Sequence, residues 1–296
     1  MRPRAVISTL PTSSMLTSTR SLAAVALCAI ALAGCGSGDT VPPGSAAASV
    51  EVVGQGAVMK QSPTSDIELC IGAMLTSYPP QCGGPKLLGE FSWDDVESEQ
   101  ASGVRWTNQW YYAVGYYDAE ADTFTLTRPL SSEPPEGYVE RQVEEPEFPQ
   151  LCDDPYEGGD PDFSDDLVAQ ELLQQELESL DGYIGSWVSD GHNEFNVLVT
   201  GDPEAVRAEL REIWPGGLCV EQRDGATYRD IASAQDALSD HFQELGITGT
   251  GGGPGELNVE VIIADPVTVE RIHEIVSDWL RPEQVRVTGV FRPLSS

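Results

Sequence analysis

The chain has 296 residues, with 48 Asp and Glu against 16 Lys and Arg, three histidines and a formal net charge of −32 at pH 7. Such an excess of negative charge repels phosphate backbones and anionic headgroups, so nucleic acid is excluded as a partner, while cations and basic partners are attracted. An apolar fraction of 40%, with six Trp, nine Tyr and seven Phe, is enough for packed cores and excludes a wholly disordered chain.

The N-terminus carries Arg2, Arg4 and Arg20 as its only charges, followed by an apolar run from Leu22 to Leu32. Eleven residues are too few for a membrane-spanning helix of ~20, and no apolar run of 18 residues follows later in the chain. The run ends in Leu32-Ala33-Gly34-Cys35. This resembles the lipobox of bacterial lipoproteins, in which small residues let a peptidase reach the backbone and the cysteine thiolate takes a diacylglyceryl group. The resemblance implies a signal peptide over 1–34, removed before Cys35, and lipid on Cys35. Residues 36–49, rich in Gly, Ser, Ala and Pro, then form a flexible tether spanning ~20 Å as a random coil. The expected location is the extracytoplasmic face of the cell membrane, with the membrane reached through the lipid anchor.

Removing the signal leaves 262 residues, with 13 basic against 48 acidic residues and a net charge of −35. Solubility outside the cytosol accounts for that charge without a ligand. Four cysteines remain besides Cys35: Cys70, Cys82, Cys152 and Cys219. An even number in an oxidising compartment reads as disulfides, with three possible pairings. The favoured one closes a short loop between Cys70 and Cys82 and ties a linker to the following domain through Cys152 and Cys219. The spacings do not suit zinc.

In chain order, β-branched and aromatic residues predict strands over 50–60, 67–75, 86–93, 104–115 and 123–128. Asp118-Ala-Glu-Ala-Asp122 is the polar turn of a hairpin. Five strands in residues 50–130 imply a small antiparallel barrel, OB-like, or a sandwich. Residues 131–162 hold Pro134, Pro135, Pro146, Pro149, Pro155 and Pro161 among many acids, and read as an extended acidic linker.

Residues 163–296 contain a near-repeat. Asn196-Val-Leu-Val runs to Asp202-Pro203, and Asn258-Val-Glu-Val runs to Asp265-Pro266. Each is a strand leading to a helix N-cap with proline at the first helical position. Stripes at Val206, Leu210, Ile213 and Trp214, and at Ile272, Ile275, Val276, Trp279 and Leu280, predict the helices. Strands over 217–222 and 284–291 complete two β-α-β units, expected to form one four-stranded ferredoxin-like sheet. A helix over 227–245 separates them, another capped by Ser164 precedes them, and a hairpin turns at Asp190-Gly191. The expected class is therefore α+β, an all-β domain followed by an α/β domain.

Two regions resemble known groups. Cys70-Ile-Gly-Ala, Ser77-Tyr-Pro-Pro-Gln-Cys82-Gly-Gly-Pro85 and Gly103-Val-Arg-Trp106 resemble a group of uncharacterised actinobacterial lipoproteins, which implies the same localisation and no particular activity. Tyr183-Ile-Gly-Ser-Trp187 through Asn196-Val-Leu-Val-Thr200 is similar to prodomains of secreted α-lytic-type serine proteases. So is the region of Tyr228, Ile231 and Leu238 followed by Asn258-Val-Glu-Val261. This second resemblance implies an α/β fold, not proteolysis.

No catalytic set stands out. His192 belongs to a turn, and His241 and His273 to helices, without paired-histidine metal spacing. The run Thr248-Gly-Thr-Gly-Gly-Gly-Pro-Gly255 lacks the Lys-Ser/Thr ending of a phosphate loop and precedes a strand, so it reads as a flexible loop. The acids between Asp153 and Asp166 do not match a twelve-residue calcium loop. The expectation is a lipid-anchored, non-enzymatic binding or interaction module, with no cofactor and no metal, whose partner is an envelope or secreted protein. The alternative is a prodomain-like protease inhibitor or folding helper. An active site assembled from scattered carboxylates is the third and weakest reading.

Overall fold

The computed structural model describes residues 50–72, 74–139, 148–163 and 166–294. Cys35, the expected signal and the expected tether lie outside the described residues, as does Ser164. The fold is mixed α+β, mostly strands, with five α-helices among the described residues.

The first seven strands are β1 (Val52–Lys60), β2 (Glu68–Cys70), β3 (Lys86–Leu88), β4 (Ser98–Ala101), β5 (Val104–Thr107), β6 (Tyr111–Asp118) and β7 (Thr123–Leu126). β1 pairs antiparallel with β2, and β2 with β3. β3 runs parallel to β7, β7 pairs antiparallel with β6, and β6 returns to β1. The ring is a closed five-stranded barrel. Its interior holds Val52, Val58, Leu69, Leu87, Ala113, Phe124 and Leu126. β1 serves two neighbours in turn, β6 along Val52–Gly56 and β2 along Ala57–Met59. A Cβ on Gly56 would overlap the Cys70 carbonyl oxygen, so the bare Cα lets β2 approach.

The strands are shorter than the sequence pattern suggests. The strand expected over 104–115 breaks between Thr107 and Tyr111. The Thr107 hydroxyl accepts from Val58 N (2.9 Å) and donates to the Gln109 carbonyl (2.9 Å), folding the intervening residues into a turn. β4 was not expected. It pairs with β5 through a two-residue turn in which Ser102 (φ 51°) and Gly103 (φ 85°) are both left-handed, the geometry of a tight hairpin.

The C-terminal half contains α1 (Leu167–Ser179), β8 (Tyr183–Val188), β9 (Glu194–Val199), α2 (Pro203–Arg211) and β10 (Gly217–Gln222). It continues with α3 (Tyr228–Ser239), α4 (Phe242–Leu245), β11 (Ile247–Gly253), β12 (Glu256–Ile263), α5 (Pro266–Val276) and β13 (Val285–Pro293). The repeat is longer than the expected β-α-β: each copy begins with a helix and a hairpin. β8 pairs antiparallel with β9 and β9 parallel with β10; β11, β12 and β13 repeat that pattern. The caps form as the sequence implies. Asp202 accepts from Glu204 N (3.0 Å), and Asp265 accepts from Val267 N (2.9 Å) and Thr268 N (3.2 Å), each followed by proline.

The two β-α-β units do not share one four-stranded sheet. β8, β9 and β10 make a three-stranded sheet, while β11, β12 and β13 belong to a ten-stranded one. The hairpin strands β8 and β11 occupy the edges of β9 and β12 that the ferredoxin-like arrangement needs for joining the units. Each copy accordingly has its own core. One is built on Leu173, Leu177, Val197, Leu210, Trp214 and Leu218. The other is built on Leu238, Leu257, Val259, Val261, Ile272 and Val276.

β13 then leaves its copy and pairs antiparallel with the start of β1, Val52 against Pro293 and Val53 against Arg292. Phe291 enters the barrel core. The sheet thus crosses the boundary drawn in sequence between residues 50–130 and 163–296.

Three local expectations change. The glycine-rich run is mostly strand: Gly249 to Gly253 pair with Glu260 to Glu256 in an antiparallel ladder, which holds glycines that propensity alone would leave irregular. The helix expected over 227–245 breaks after Ser239, and the short α4 starts after His241, which occupies the N-cap position without a side-chain cap bond. Asp166 caps α1, accepting from Val168 N (2.9 Å) and Ala169 N (3.2 Å). Part of the acidic segment is ordered by hydrogen bonds. Leu151 N donates to Asn196 Oδ1 (2.7 Å), and Leu218 N donates to the Pro155 carbonyl (2.7 Å).

Candidate functional site

The disulfides are Cys70 to Cys82 and Cys152 to Cys219, with Cα separations of 5.7 Å and 5.5 Å. This is the pairing favoured from sequence. The first closes the loop that leaves β2. Within it, Leu75 and Gln81 form an antiparallel bridge, Leu75 N donating to the Gln81 carbonyl (2.9 Å). Gln81 Nε2 donates to Ser77 Oγ (3.3 Å), which donates to the Pro79 carbonyl (3.0 Å). Gln61 Nε2 ties the base of the loop through the Cys82 carbonyl (3.0 Å). Pro79 and Pro80 fix two φ angles at its tip.

This loop faces the β4–β5 hairpin across a groove of about 330 Å³. Trp106 on β5 is its floor. Trp106 is 4% exposed and packs with Ala57, Met59 and Cys70. Tyr78 stands edge-on to Trp106 with ring centroids 5.7 Å apart, yet is 76% exposed. Trp110, 43% exposed, and Leu75, 59% exposed, complete the apolar lining. Large apolar side chains gathered around one exposed concavity make this groove the candidate binding site.

The polar rim is connected to that floor. Trp106 Nε1 donates to Asn108 Oδ1 (3.1 Å), and Asn108 Nδ2 donates to Glu99 Oε1 (2.8 Å). The backbone before Trp110 is anchored by Thr107 as described and by Gln109 Nε2, which donates to Glu97 Oε2 (2.7 Å). Thr76 and Ser77 add hydroxyls on the loop side. Among the described residues, Glu99 is the one charged side chain lining the groove, and no Lys, Arg or His lines it.

A second cavity, about 480 Å³, opens where β1 and β13 meet the end of β12 and the start of α5. Its lining is mostly apolar, with Val52, Ile263 and Phe291 prominent. Burial pushes the Tyr117 phenol up to about 12, with the Asp122 carboxylate adding to the effect; the neutral hydroxyl donates to Asp122 Oδ1 (3.2 Å). Asp265 also lines it. The hydrogen bond from Thr268, assisted by backbone N–H groups at the start of α5, holds the Asp265 carboxyl below the usual carboxylate range. Arg292 lines the cavity too, its guanidinium donating to the Val139 carbonyl (3.3 Å), so all three polar groups are already engaged.

The remaining sequence candidates are scattered. His192 lies exposed in the β8–β9 turn. There burial would raise the Asp190 carboxyl, but the backbone N–H groups of His192, Asn193 and Glu194 donate to it and hold it low. His241 Nδ1 meets Glu244 Oε2 at 2.9 Å. His273 is half-buried on α5, and its Nε2 has no hydrogen-bond partner among the described residues. In the acidic segment Asp154 and Asp160 accept turn N–H groups, and Glu157 pairs with Arg207 at 3.3 Å. Among the described residues, no three His, Cys, Asp or Glu side chains come together as a metal site, and no helix is long and apolar enough to cross a membrane.

Sequence reasoning had assigned Cys70 and Cys82 but not Leu75, Tyr78, Glu99, Trp106, Asn108 or Trp110. Ser102-Gly103 was the available signal, a hairpin turn that folds Glu99 back beside Trp106. No family model matches the chain, and no curated protein is significantly similar to it.

Proposed function

We propose that this protein is a lipid-anchored, extracytoplasmic binding module without catalytic activity, held at the membrane through Cys35 and engaging its ligand in the groove between the Cys70–Cys82 loop and the β4–β5 hairpin. The observation that carries the reading is Tyr78: a large aromatic ring presented to solvent by a loop fixed by a disulfide, a backbone bridge and two prolines. A mobile loop would lose conformational entropy when its ligand arrives; a fixed one has already lost it. The barrel's strand order, with its single parallel pair β3–β7, makes it OB-like in this reading. The two stretches resembling the actinobacterial lipoprotein group, 70–85 and 103–106, lie on either side of the groove, which supports placing the shared property there.

The test has two arms. Cys35→Ala is expected to move the protein from the membrane fraction to the soluble one; retention in the membrane counts against the anchor. Recovery of an envelope component with the wild-type protein, after crosslinking, is expected to fall at least tenfold with Tyr78→Ala. Equal recovery counts against the groove.

A prodomain-like inhibitor or folding helper is the second reading. Its support is that the resembling segments fall on both copies of the repeat, on β8 and β9 in one and on α3 and β12 in the other. The mature chain would then inhibit α-lytic-type proteases or speed their refolding, and neither effect at excess chain would rule this out.

A further inference from the structure

We infer that the groove takes a neutral glycan chain, one sugar ring seated against Tyr78 and Trp110 with its hydroxyls on the Asn108–Glu99 rim. The inference rests on the binding-module reading and names the ligand class.

The chemistry of the lining selects this occupant. A pyranose ring presents an apolar patch of C–H groups on its face and a ring of hydroxyls at its edge. It needs an aromatic surface beside a row of paired donors and acceptors. The groove offers that combination: Tyr78, Trp110 and Leu75 exposed, with Asn108, Glu99, Thr76 and Ser77 at its margins. Aromatic rings with weakly polarised C–H groups against them contribute modestly per contact and add over a chain of sugars.

Charge narrows the class. With Glu99 present and no cation lining the groove among the described residues, a phosphate, sulfate or uronic acid would meet a carboxylate and no counter-charge there. The net charge of the whole chain acts in the same direction. The ligand is therefore uncharged where it contacts the groove.

A proline-rich peptide also docks on exposed aromatic rings. Glu99 distinguishes the two. Its Oε1 accepts from Asn108 Nδ2, and a carboxylate has capacity for further donors. Sugar hydroxyls donate, whereas proline has no N–H to give. Trp106 adds to the distinction, since its Nε1 is spent on Asn108 Oδ1. That bond holds the amide in the orientation that aims Nδ2 at Glu99, so the pair is set before any ligand arrives.

The experiment is a titration of the secreted chain, carrying Cys35→Ser, with chitohexaose, cellohexaose and maltohexaose, followed by tryptophan fluorescence. A proline decapeptide serves as comparison. The expected result is saturable quenching by at least one hexasaccharide. Tyr78→Ala and Trp110→Ala should each weaken it at least tenfold, and Glu99→Gln, a substitution at an exposed position, threefold or more. The melting temperature of each variant separates lost binding from lost folding. Absence of saturation with all three sugars up to about 10 mM, or unchanged affinity in Tyr78→Ala, overturns the glycan assignment. Saturation by the proline peptide alone overturns it too while retaining the groove. If the sugars fail but recovery of an envelope component still depends on Tyr78, only the ligand class is wrong; if both fail, the binding reading falls with it.

Discussion

The ring of Phe291 lies over the bare Cα of Gly54, so close that a Cβ there would overlap Cδ1 and Cε1. The two residues are 237 positions apart. Phe291 also stacks at a tilt on Phe124, with centroids 4.8 Å apart, and on Tyr117 at 5.4 Å. The last strand of the chain therefore completes the core of the barrel built by its first strands.

Overpacking this contact should destabilise the whole unit. Gly54→Ala is expected to cost roughly 1–3 kcal/mol, and Phe291→Ala about 3–5 kcal/mol. Urea unfolding followed by fluorescence checks both. In Phe291→Ala the transition reported by Trp106 in the barrel should move together with that reported by Trp279. A barrel signal unmoved by the substitution would show that the halves fold independently.

The disulfides should differ in what they do. Cys152–Cys219 spans 67 residues and Cys70–Cys82 spans 12, so loop closure favours the former, about 4 kcal/mol against about 3 kcal/mol on the chain-entropy estimate. Replacing Cys152 and Cys219 by Ser should lower the urea midpoint more. Replacing Cys70 and Cys82 should weaken ligand capture more, because it frees the loop that carries Tyr78.

The cap of α5 gives a pH dependence of known sign. Asp265 is held below its ordinary value, so its stabilisation is complete above about pH 4, the ordinary carboxylate range, and is lost as pH falls through the lower folded value. Asp265→Ala should cost about 1 kcal/mol at pH 7. The gap from wild type should narrow as the pH falls below the ordinary carboxylate range. A gap that persists there would mean that the carboxylate charge is not what stabilises the cap.

Much of the C-terminal half was legible because its signals are local. Asp202-Pro203 and Asp265-Pro266 mark helix starts, and the stripes at Leu210 and Trp214 and at Ile272 and Val276 mark buried faces. What the periodicity could not convey was partnership. Whether β9 pairs with β8 or with β12 depends on which edge a hairpin has already filled, and β13 pairs with β1 across nearly the whole chain. The groove was hidden for a related reason. Trp110 falls inside the strand expected over 104–115 and Tyr78 between two expected strands, and only the closed loop and the β4–β5 hairpin show both exposed around one concavity. Cysteine arithmetic did locate the loop, because Cys70 and Cys82 lie close in sequence.

The most direct measurement is site-specific photocrosslinking in intact cells, with a photoreactive residue at Ser77 beside the groove or at Glu209 on α2 as a remote control. A discrete adduct from position 77 that disappears with Tyr78→Ala, and is absent from position 209, is the predicted result. Identical adduct patterns from the two positions, or a position-77 adduct indifferent to Tyr78, would contradict the assignment of binding to this groove.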